Sequence, residues 1–258
     1  MDNASPSSKE IIERISTNKN SSWLTAKLSN RDGFVLSKQE FRDGLALRYN
    51  KVCSNLPSSC DGCGEIFDVQ HALSCKKGGL ISQRHNEVRD IVAELSQIAW
   101  KQVQKEPVIR ETTTTESGLR ADLLIRGVWN PQETASYDIR VTDTDARSYG
   151  NRSTAQVLKA CESEKKNKYL EACRNRHITF TPLVASVDGC LGKEFQHFVK
   201  RLGEVLADKW EKPYSVVVGW IRTRIAFAIL RATNLCIRGT RSKFRSLGFE
   251  DGAGIPQY

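Results

Sequence analysis

The sequence predicts an α/β fold in which a mixed β-sheet carries helices on its faces. Three strand-like segments, at 101–111, 119–129 and 135–143, follow one another across turns, which favours antiparallel hairpins. A charged helical segment at 153–176 then precedes a mostly apolar fourth strand at 177–188, which favours parallel pairing with the third strand. The predicted order is therefore helix, three strands, helix, strand, helix, helix.

Two predicted helices come before the sheet. Residues 1–34 are rich in Ser, Asn and Lys and have little apolar periodicity, so we expect a loosely ordered segment. Residues 36–50 are typical of a short amphipathic helix, with Ser37 as N-cap and Glu40 completing a capping box. A longer helix is expected at 82–100, where apolar residues recur at three- and four-residue steps: Val88, Ile91, Val92, Leu95, Ile98 and Ala99.

The remaining elements also have recognisable faces. Alternation along 135–143 puts Asp138 and Arg140 on one face of the third strand and apolar residues on the other. Amphipathic helices are expected at 193–211 and 215–238, separated by Pro213. The predicted organisation has four parts: a loose segment at 1–34, a helix with a Cys/His cluster at 35–80, the α/β core at 81–212, and a basic amphipathic helix with a tail at 213–258.

Composition narrows the possible classes of partner. With 39% hydrophobic residues among 258, the chain can bury a sizeable core. Its formal net charge of +9 favours DNA, or RNA, as an acidic partner, although a basic protein without such a partner has the same balance. No membrane span is expected, because the apolar run at 216–230 contains Arg222 and Arg224. Eight cysteines without a secretory signal indicate reduced thiols and metal binding.

The cysteine cluster has the spacing C-x2-C-x7-H-x3-C. Zinc takes four Cys or His ligands in a tetrahedron, and a His and a Cys four residues apart can project from one helical turn. The predicted ligands are Cys60, Cys63, His71 and Cys75, which would form a closed, structural Zn2+ site. Buried thiols without metal are the alternative, and Cys53 lies close enough in sequence to compete as a ligand.

Two acidic motifs, RAD at 120–122 and DIR at 138–140, lie on neighbouring predicted strands. A hairpin would bring the carboxylates of Asp122 and Asp138 together, where they could hold Mg2+ or Mn2+. Arg140 would share their face and clamp a phosphate. Either Glu87 or Glu106 could supply a third carboxylate, with Glu87 preferred. The alternative is that both aspartates are strand-end charges in salt bridges.

The element order, with Asp122 and Asp138-x-Arg140, resembles the restriction-endonuclease-like, or PD-(D/E)XK, superfamily. The Cys/His cluster followed by RHN at 84–86, R-x-D and D-x-R is similar to the C-terminal endonuclease region of site-specific non-LTR retrotransposon polyproteins. The resemblance covers about residues 40–210. Ala121 stands in place of the proline of the motif, and Arg140 in place of its usual lysine.

The resemblance implies metal-dependent cleavage of DNA, a nuclear location, and a reverse transcriptase in the parent polyprotein. By position, Asp122 and Asp138 match the two acids of the family, and the helix segment SEKKNKYLEA brings Lys165, Lys166 and Tyr169 to its Lys/Tyr positions. The acidic motifs and the resemblance together give the predicted catalytic residues, which are Asp122, Asp138, Arg140, Glu87 and Lys166.

The last predicted helix carries arginines at seven-residue intervals, which form a slowly drifting stripe. These are Arg224, Arg231, Arg238 and Arg245. Contact with a nucleic-acid backbone and a solvated basic face are both compatible with this pattern. The predicted nucleic-acid-binding residues are Arg84, His85, Arg120, Lys165, Tyr169, Arg224, Arg231 and Arg238.

The leading hypothesis from the sequence is a metal-dependent DNA endonuclease of retrotransposon origin, with a zinc knuckle that aids nucleic-acid binding. A catalytically decayed nuclease fold that only binds DNA or RNA is the first alternative. A structural zinc protein that contacts another protein is the second. Arg140 separates the first two hypotheses, because arginine does not titrate near neutral pH as a catalytic lysine can.

Overall fold

The helices that apolar periodicity predicts all form, with bounds within a few residues of the expected ones. The computed structural model describes residues 12, 21–49, 51–114 and 117–242. Its α-helices are α1 Ser22–Thr25, α2 Lys38–Arg48, α3 Val69–Ser74, α4 Leu80–Ala99, α5 Thr154–Arg174, α6 Lys193–Trp210 and α7 Tyr214–Arg238. Short 3-10 turns lie at Lys77–Gly79 and Arg147–Tyr149. The expected capping box of Ser37 and Glu40 begins α2.

The strands form a mixed sheet, as predicted. They are β1 Val103–Lys105, β2 Val108–Arg110, β3 Leu119–Arg120, β4 Leu123–Arg126, β5 Thr134–Thr142 and β6 Thr179–Ser186. The main sheet has the order β1-β4-β5-β6. Its first two pairings are antiparallel and β5 pairs with β6 in parallel, across α5. Strands β2 and β3 form a separate antiparallel pair.

Two strands predicted as continuous are each broken, which corrects the expectation for 101–111 and 119–129. The first breaks at Glu106, which has a φ of +52°, and Pro107; the second breaks at Ala121 and Asp122. The breaks face each other, because Glu106 N–H donates to the Asp122 carbonyl (2.9 Å) and Ala121 N–H donates to the Pro107 carbonyl (3.0 Å). The small sheet therefore diverges from the main sheet at Asp122.

Helices cover both faces of the main sheet. On one face, α4, α6 and α7 enclose the largest apolar cluster, with Tyr137 and Ile139 of β5 fully buried against Phe198 of α6. On the other face lies α5, which buries Val157 and Cys161 against β6. Because alternate residues of β5 point to opposite faces, Asp138 and Arg140 are directed toward α5.

Helix α7 also carries the N-terminal part of the chain. Trp23 and Phe34 are buried against Phe227 and its neighbours, so residues 21–34 are packed rather than loosely ordered. The remainder of the predicted loose segment lies outside the described residues, apart from Ile12. Across the described ranges, no helix has the length and apolarity needed to cross a membrane.

Candidate metal centre and acidic site

The four ligands predicted for zinc converge on one point. The Sγ atoms of Cys60, Cys63 and Cys75 and a ring nitrogen of His71 all lie within 4.8 Å of one another. Cys75 Sγ is 3.9 Å from both Cys60 Sγ and Cys63 Sγ, and Cys63 Sγ is 3.3 Å from His71 Nε2. Tetrahedral Zn–S bonds of about 2.3 Å put two sulfurs about 3.8 Å apart, so this cluster could hold zinc.

Local backbone structure positions these ligands. Asp68 caps α3 by accepting the His71 N–H at 2.6 Å, and this short helix separates His71 from Cys75 by one turn. Burial disfavours the Cys60 thiolate, but hydrogen bonds from the backbone of Gly62 and Cys63 outweigh it and lower the pKa of Cys60 to about 6. A thiolate is the form of cysteine that binds metal.

Residues 239–242, here called the strap, follow α7 and contact the segment that carries the four ligands, residues 60–75, here called the knuckle. Asp61 Oδ2 accepts hydrogen bonds from Thr240 Oγ1 at 2.6 Å and from the backbone N–H of Arg241 at 2.8 Å. Arg241 is 3% exposed, lies over the Phe67 ring, and donates to the Ala72 carbonyl at 2.9 Å. The sequence did not single out Arg241, because its partners lie about 170 residues earlier in the chain.

Asp122 lies at the break between β3 and β4, where two groups hold its carboxylate. Oδ1 is 2.9 Å from His85 Nε2 of α4, and Oδ2 accepts the backbone N–H of Ile139 at 2.5 Å. Ile139 follows Asp138 directly on β5. The predicted hairpin therefore brings the two aspartates to neighbouring places, next to a histidine that was expected to contact nucleic acid.

Asp138 is buried, and its partners come from α5. Lys165 Nζ is 2.6 Å from Asp138 Oδ2. Tyr169 is also buried, which raises its pKa, and the negative charges of Asp138 and Asp122 raise it further. The Tyr169 hydroxyl therefore lies near both carboxylates. Its hydroxyl donates to the Arg120 carbonyl at 3.0 Å, so Tyr169 is a packing residue and not the nucleic-acid contact that was predicted.

Three other predicted residues point elsewhere. Glu87 is exposed and lines a separate hollow with Glu94 and Arg224. Glu106 is paired with Arg89. Lys166 is paired with Glu194 of α6, so Lys165 is the lysine that reaches Asp138. Within 21–49, 51–114 and 117–242, three or more His, Cys, Asp or Glu ligands converge at the Cys/His cluster alone.

Arg140 shares the α5 side of the sheet with Asp138, as its position two residues later predicts. Its Nη1 is 2.6 Å from Glu164 Oε2, and its Nη2 is 3.3 Å from the Tyr149 hydroxyl. These contacts hold the guanidinium against Glu164 and Tyr149. Of the two cations, Lys165 is the one in contact with Asp138.

The basic residues divide into an exposed group and a structural group. Arg120 is exposed on β3, beside Asp122. Arg84 is 4% exposed and donates to the carbonyls of Leu73 and Val141, both at 3.3 Å, so it is a structural residue and the nucleic-acid contact predicted for it is wrong. Its burial follows from its place on the inner side of α4.

The arginine stripe of α7 is also used within the protein. Arg224 donates to the Asp32 carbonyl at 2.9 Å and pairs with Glu94, and Arg231 donates to the carbonyls of Gly33 and Val35, both at 2.6 Å. Arg238 donates to Asp43 and to the carbonyls of Ser54 and Asn55. The stripe therefore holds residues 32–55 against α7, and contact of Arg224, Arg231 and Arg238 with nucleic acid stays a prediction. Arg245 lies outside the described residues.

No protein-family model matches the chain, and a search of curated proteins finds no significant match.

Proposed function

We propose that the chain is a metal-dependent DNA endonuclease with a structural zinc site. One observation carries the proposal: Asp122, where the two sheets diverge, accepts a hydrogen bond from Ile139, the residue after Asp138, and helices α4 and α5 each direct one polar side chain at one of these two aspartates. Paired carboxylates with an adjacent lysine are groups that phosphodiester hydrolysis uses. The Cys/His cluster would hold Zn2+ and keep the knuckle closed.

The aspartate pair suits a hard cation such as Mg2+ or Mn2+. These ions take oxygen ligands, and Mg2+ is commonly held by one or two carboxylates with water and substrate phosphate in its other positions. Each carboxylate oxygen has two lone pairs, so the contacts from His85 and Lys165 leave acceptor positions on Asp122 and Asp138. When bound, such an ion stabilises the negative charge that develops on the phosphate.

Lys165 takes the place in this proposal that the sequence motif gave to Arg140. It lies against Asp138, where its ammonium can meet the charge of the scissile phosphate. Arg120, exposed next to Asp122, supplies a second positive group for the nucleic-acid backbone. The α7 contacts with residues 32–55 are made by Arg224, Arg231 and Arg238, and not by Lys165 or Arg120.

The identity of the substrate and the origin of the chain rest on the motif order. The knuckle, RHN, RAD and DIR follow one another as in the endonuclease region of site-specific non-LTR retrotransposons. We take DNA as the substrate on this basis, with RNA as the competing polyanion. A reverse transcriptase partner and a nuclear location belong to the same proposal.

A plasmid-nicking assay with zinc-loaded protein tests the function. In Mg2+ or Mn2+ the protein should convert supercoiled plasmid to open circles. Asp122→Asn and Asp138→Asn should each reduce the rate by about 100-fold or more, the loss typical of removing an electrostatic catalytic group. Lys165→Ala should reduce it comparably.

Two substitutions provide matched controls. Lys166→Ala removes the neighbouring lysine, which pairs with Glu194, and Asp208→Asn removes an exposed acid from α6. Both variants should nick at the wild-type rate. Equal activity of the Asp122, Asp138 and control variants would exclude the proposed site. Salt-dependent DNA binding without any cleavage would support the alternative of an inactive binding module.

A further inference from the structure

His85 is held in a fixed place beside Asp122. Its neighbours Arg84 and Val88 on α4 are 4% and 0% exposed, which locks the rotation of the helix. The imidazole itself is 33% exposed and reaches Asp122 Oδ1 at 2.9 Å. Because a carboxylate only accepts hydrogen bonds, this contact requires the imidazole proton to be on Nε2.

Asp122 depends on this contact more than an ordinary strand residue would. It lies between β3 and β4, outside both, at the break where the small sheet leaves the main sheet. Its carboxylate is tethered at two points, to the backbone N–H of Ile139 through Oδ2 and to His85 through Oδ1. With the second tether removed, rotation about the bond to the carboxyl group is opposed by a single hydrogen bond.

We propose that His85 is the positioning residue for Asp122, holding its carboxylate in the orientation that binds a divalent cation together with Asp138. This inference rests on the proposed nuclease site and adds to it a residue that acts through another. Glu87 does not share the role, because two residues along an α-helix correspond to a rotation of about 200°. That rotation directs Glu87 to the hollow beside Glu94.

Two substitutions separate the hydrogen bond from other properties of the imidazole. Glutamine has an amide N–H at about the reach of the imidazole Nε2–H, whereas alanine has no donor. His85→Gln should therefore keep Asp122 in place, and His85→Ala should release it. Loss of a group that orients a metal ligand typically lowers metal affinity or activity by about 10–100-fold.

The experiment measures Mn2+ affinity by calorimetry, with zinc-loaded protein. Mn2+ is a poor competitor for thiolate ligands, so the Cys/His cluster keeps its zinc. We expect wild-type protein to bind Mn2+ and Asp122→Asn to lose that binding. His85→Ala should bind about 10–100-fold more weakly. His85→Gln should remain within about threefold of wild type, and the thermal midpoints of both variants should stay close to the wild-type value.

The outcomes distinguish this inference from the proposed function. Wild-type affinity in His85→Ala, equal weakening in both His85 variants, or no Mn2+ binding that depends on Asp122 would each overturn the role of His85. A parallel fall in thermal midpoint would also overturn it, since it would indicate a purely structural residue. If the Mn2+ affinities follow the expected order but the wild-type protein does not nick plasmid, His85 keeps its role and the endonuclease proposal fails.

Discussion

The buried carboxylate of Asp43 pairs with the partly exposed Arg238, and this ion pair holds α2 against α7. Asp43 is 2% exposed, and Arg238 approaches both its oxygens at 2.7 Å in the bidentate geometry that favours strong pairing. Burial opposes ionisation of Asp43, but hydrogen bonds from Arg238, Gln39 and Asn234 and the charge of Arg238 outweigh it. The result is a lowered pKa for Asp43.

Replacing Arg238 with methionine should therefore be costly. The variant leaves a buried carboxylate without its cation, and such a loss destabilises by about 3–5 kcal/mol near neutral pH. The lowered pKa of Asp43 contributes stability above its unfolded pKa of about 3.9, and that stability is lost as the pH falls through the folded value. The difference between wild type and variant should thus shrink below about pH 4.

Urea denaturation at neutral and acidic pH measures this difference. Arg222→Met, on the same helix, is the control, because a partly exposed arginine away from such a pair should change stability by no more than about 0.5 kcal/mol. Equal losses in the two variants would show that the ion pair contributes nothing particular.

Single residues also show how far the sequence could predict the site. The spacing of Cys60, Cys63, His71 and Cys75 defines a local motif, so their convergence was predictable. The contact of His85 with Asp122 joins residues 37 positions apart, and no local pattern indicates which group on α4 faces the break. Lys165 reaches Asp138 although Lys166 was the predicted residue, because neighbouring residues of a helix differ by about 100° in direction and the sequence does not say which of them faces the sheet.

At the scale of elements, two glycines near the zinc ligands have left-handed backbone, and Gly78 lies against the strap whereas Gly64 does not. Gly78 has a φ of +71°, and a Cβ there would lie 2.5 Å from the Arg241 Cα. Gly64 has a φ of +80°, with nothing within 4 Å of the same position. The two sites thus share a backbone conformation but differ in their surroundings.

Alanine at these glycines should separate strain from steric conflict. Gly64→Ala should lower the free energy of unfolding by about 1–2 kcal/mol, the cost of a left-handed conformation for an L-residue. Gly78→Ala should cost clearly more, because the backbone of the strap must also move. Chemical denaturation of both zinc-loaded variants measures the difference, and equal costs would contradict the close packing of the strap against Gly78.

Elements also differ in how well sequence patterns predict them. The helices were predictable because their 3.6-residue apolar period is visible in short stretches of sequence. The two broken strands were not, because the positive φ of Glu106 and the break at Asp122 stabilise each other across 16 residues through backbone hydrogen bonds. The separate β2–β3 sheet follows from that tertiary pairing, which residue alternation alone does not encode.

At the scale of the whole molecule, the knuckle covers an apolar cluster of its own. Cys53, Phe67, Leu73 and Leu80 pack there with Cys236 of α7, away from the main core. Cys236 and Cys173 are both fully buried, but Cys173 belongs to the cluster around α5. The two thiols therefore report on different parts of the fold.

Removal of zinc should loosen one of these clusters selectively. With the metal chelated, the knuckle loses its closing bonds, and the cluster beneath it opens locally. Alkylation followed by mass spectrometry should then label Cys53 and Cys236 much faster, while Cys173 stays protected. Zinc-replete protein is the control. Equal protection of Cys236 with and without chelator would show that the cluster does not depend on the metal.

Composition gives the net charge of the molecule but not the places of its charged side chains. The net charge of +9 indicated a polyanion as partner, but it does not say where the cations lie. Arg224, Arg231 and Arg238 are engaged by the chain itself. The salt dependence of DNA binding should accordingly reflect fewer phosphate contacts than the arginine content suggests.

The arginine stripe of α7 has a consequence for sequence tolerance. Arg231 donates hydrogen bonds to the carbonyl oxygens of Gly33 and Val35, and Arg238 donates to those of Ser54 and Asn55. These contacts are therefore made to the main chain and not to side chains. Every residue carries a carbonyl group, whatever its side chain. Val35 and Ser54 can thus be substituted without loss of these hydrogen bonds, whereas substitution of Arg231 or Arg238 removes them.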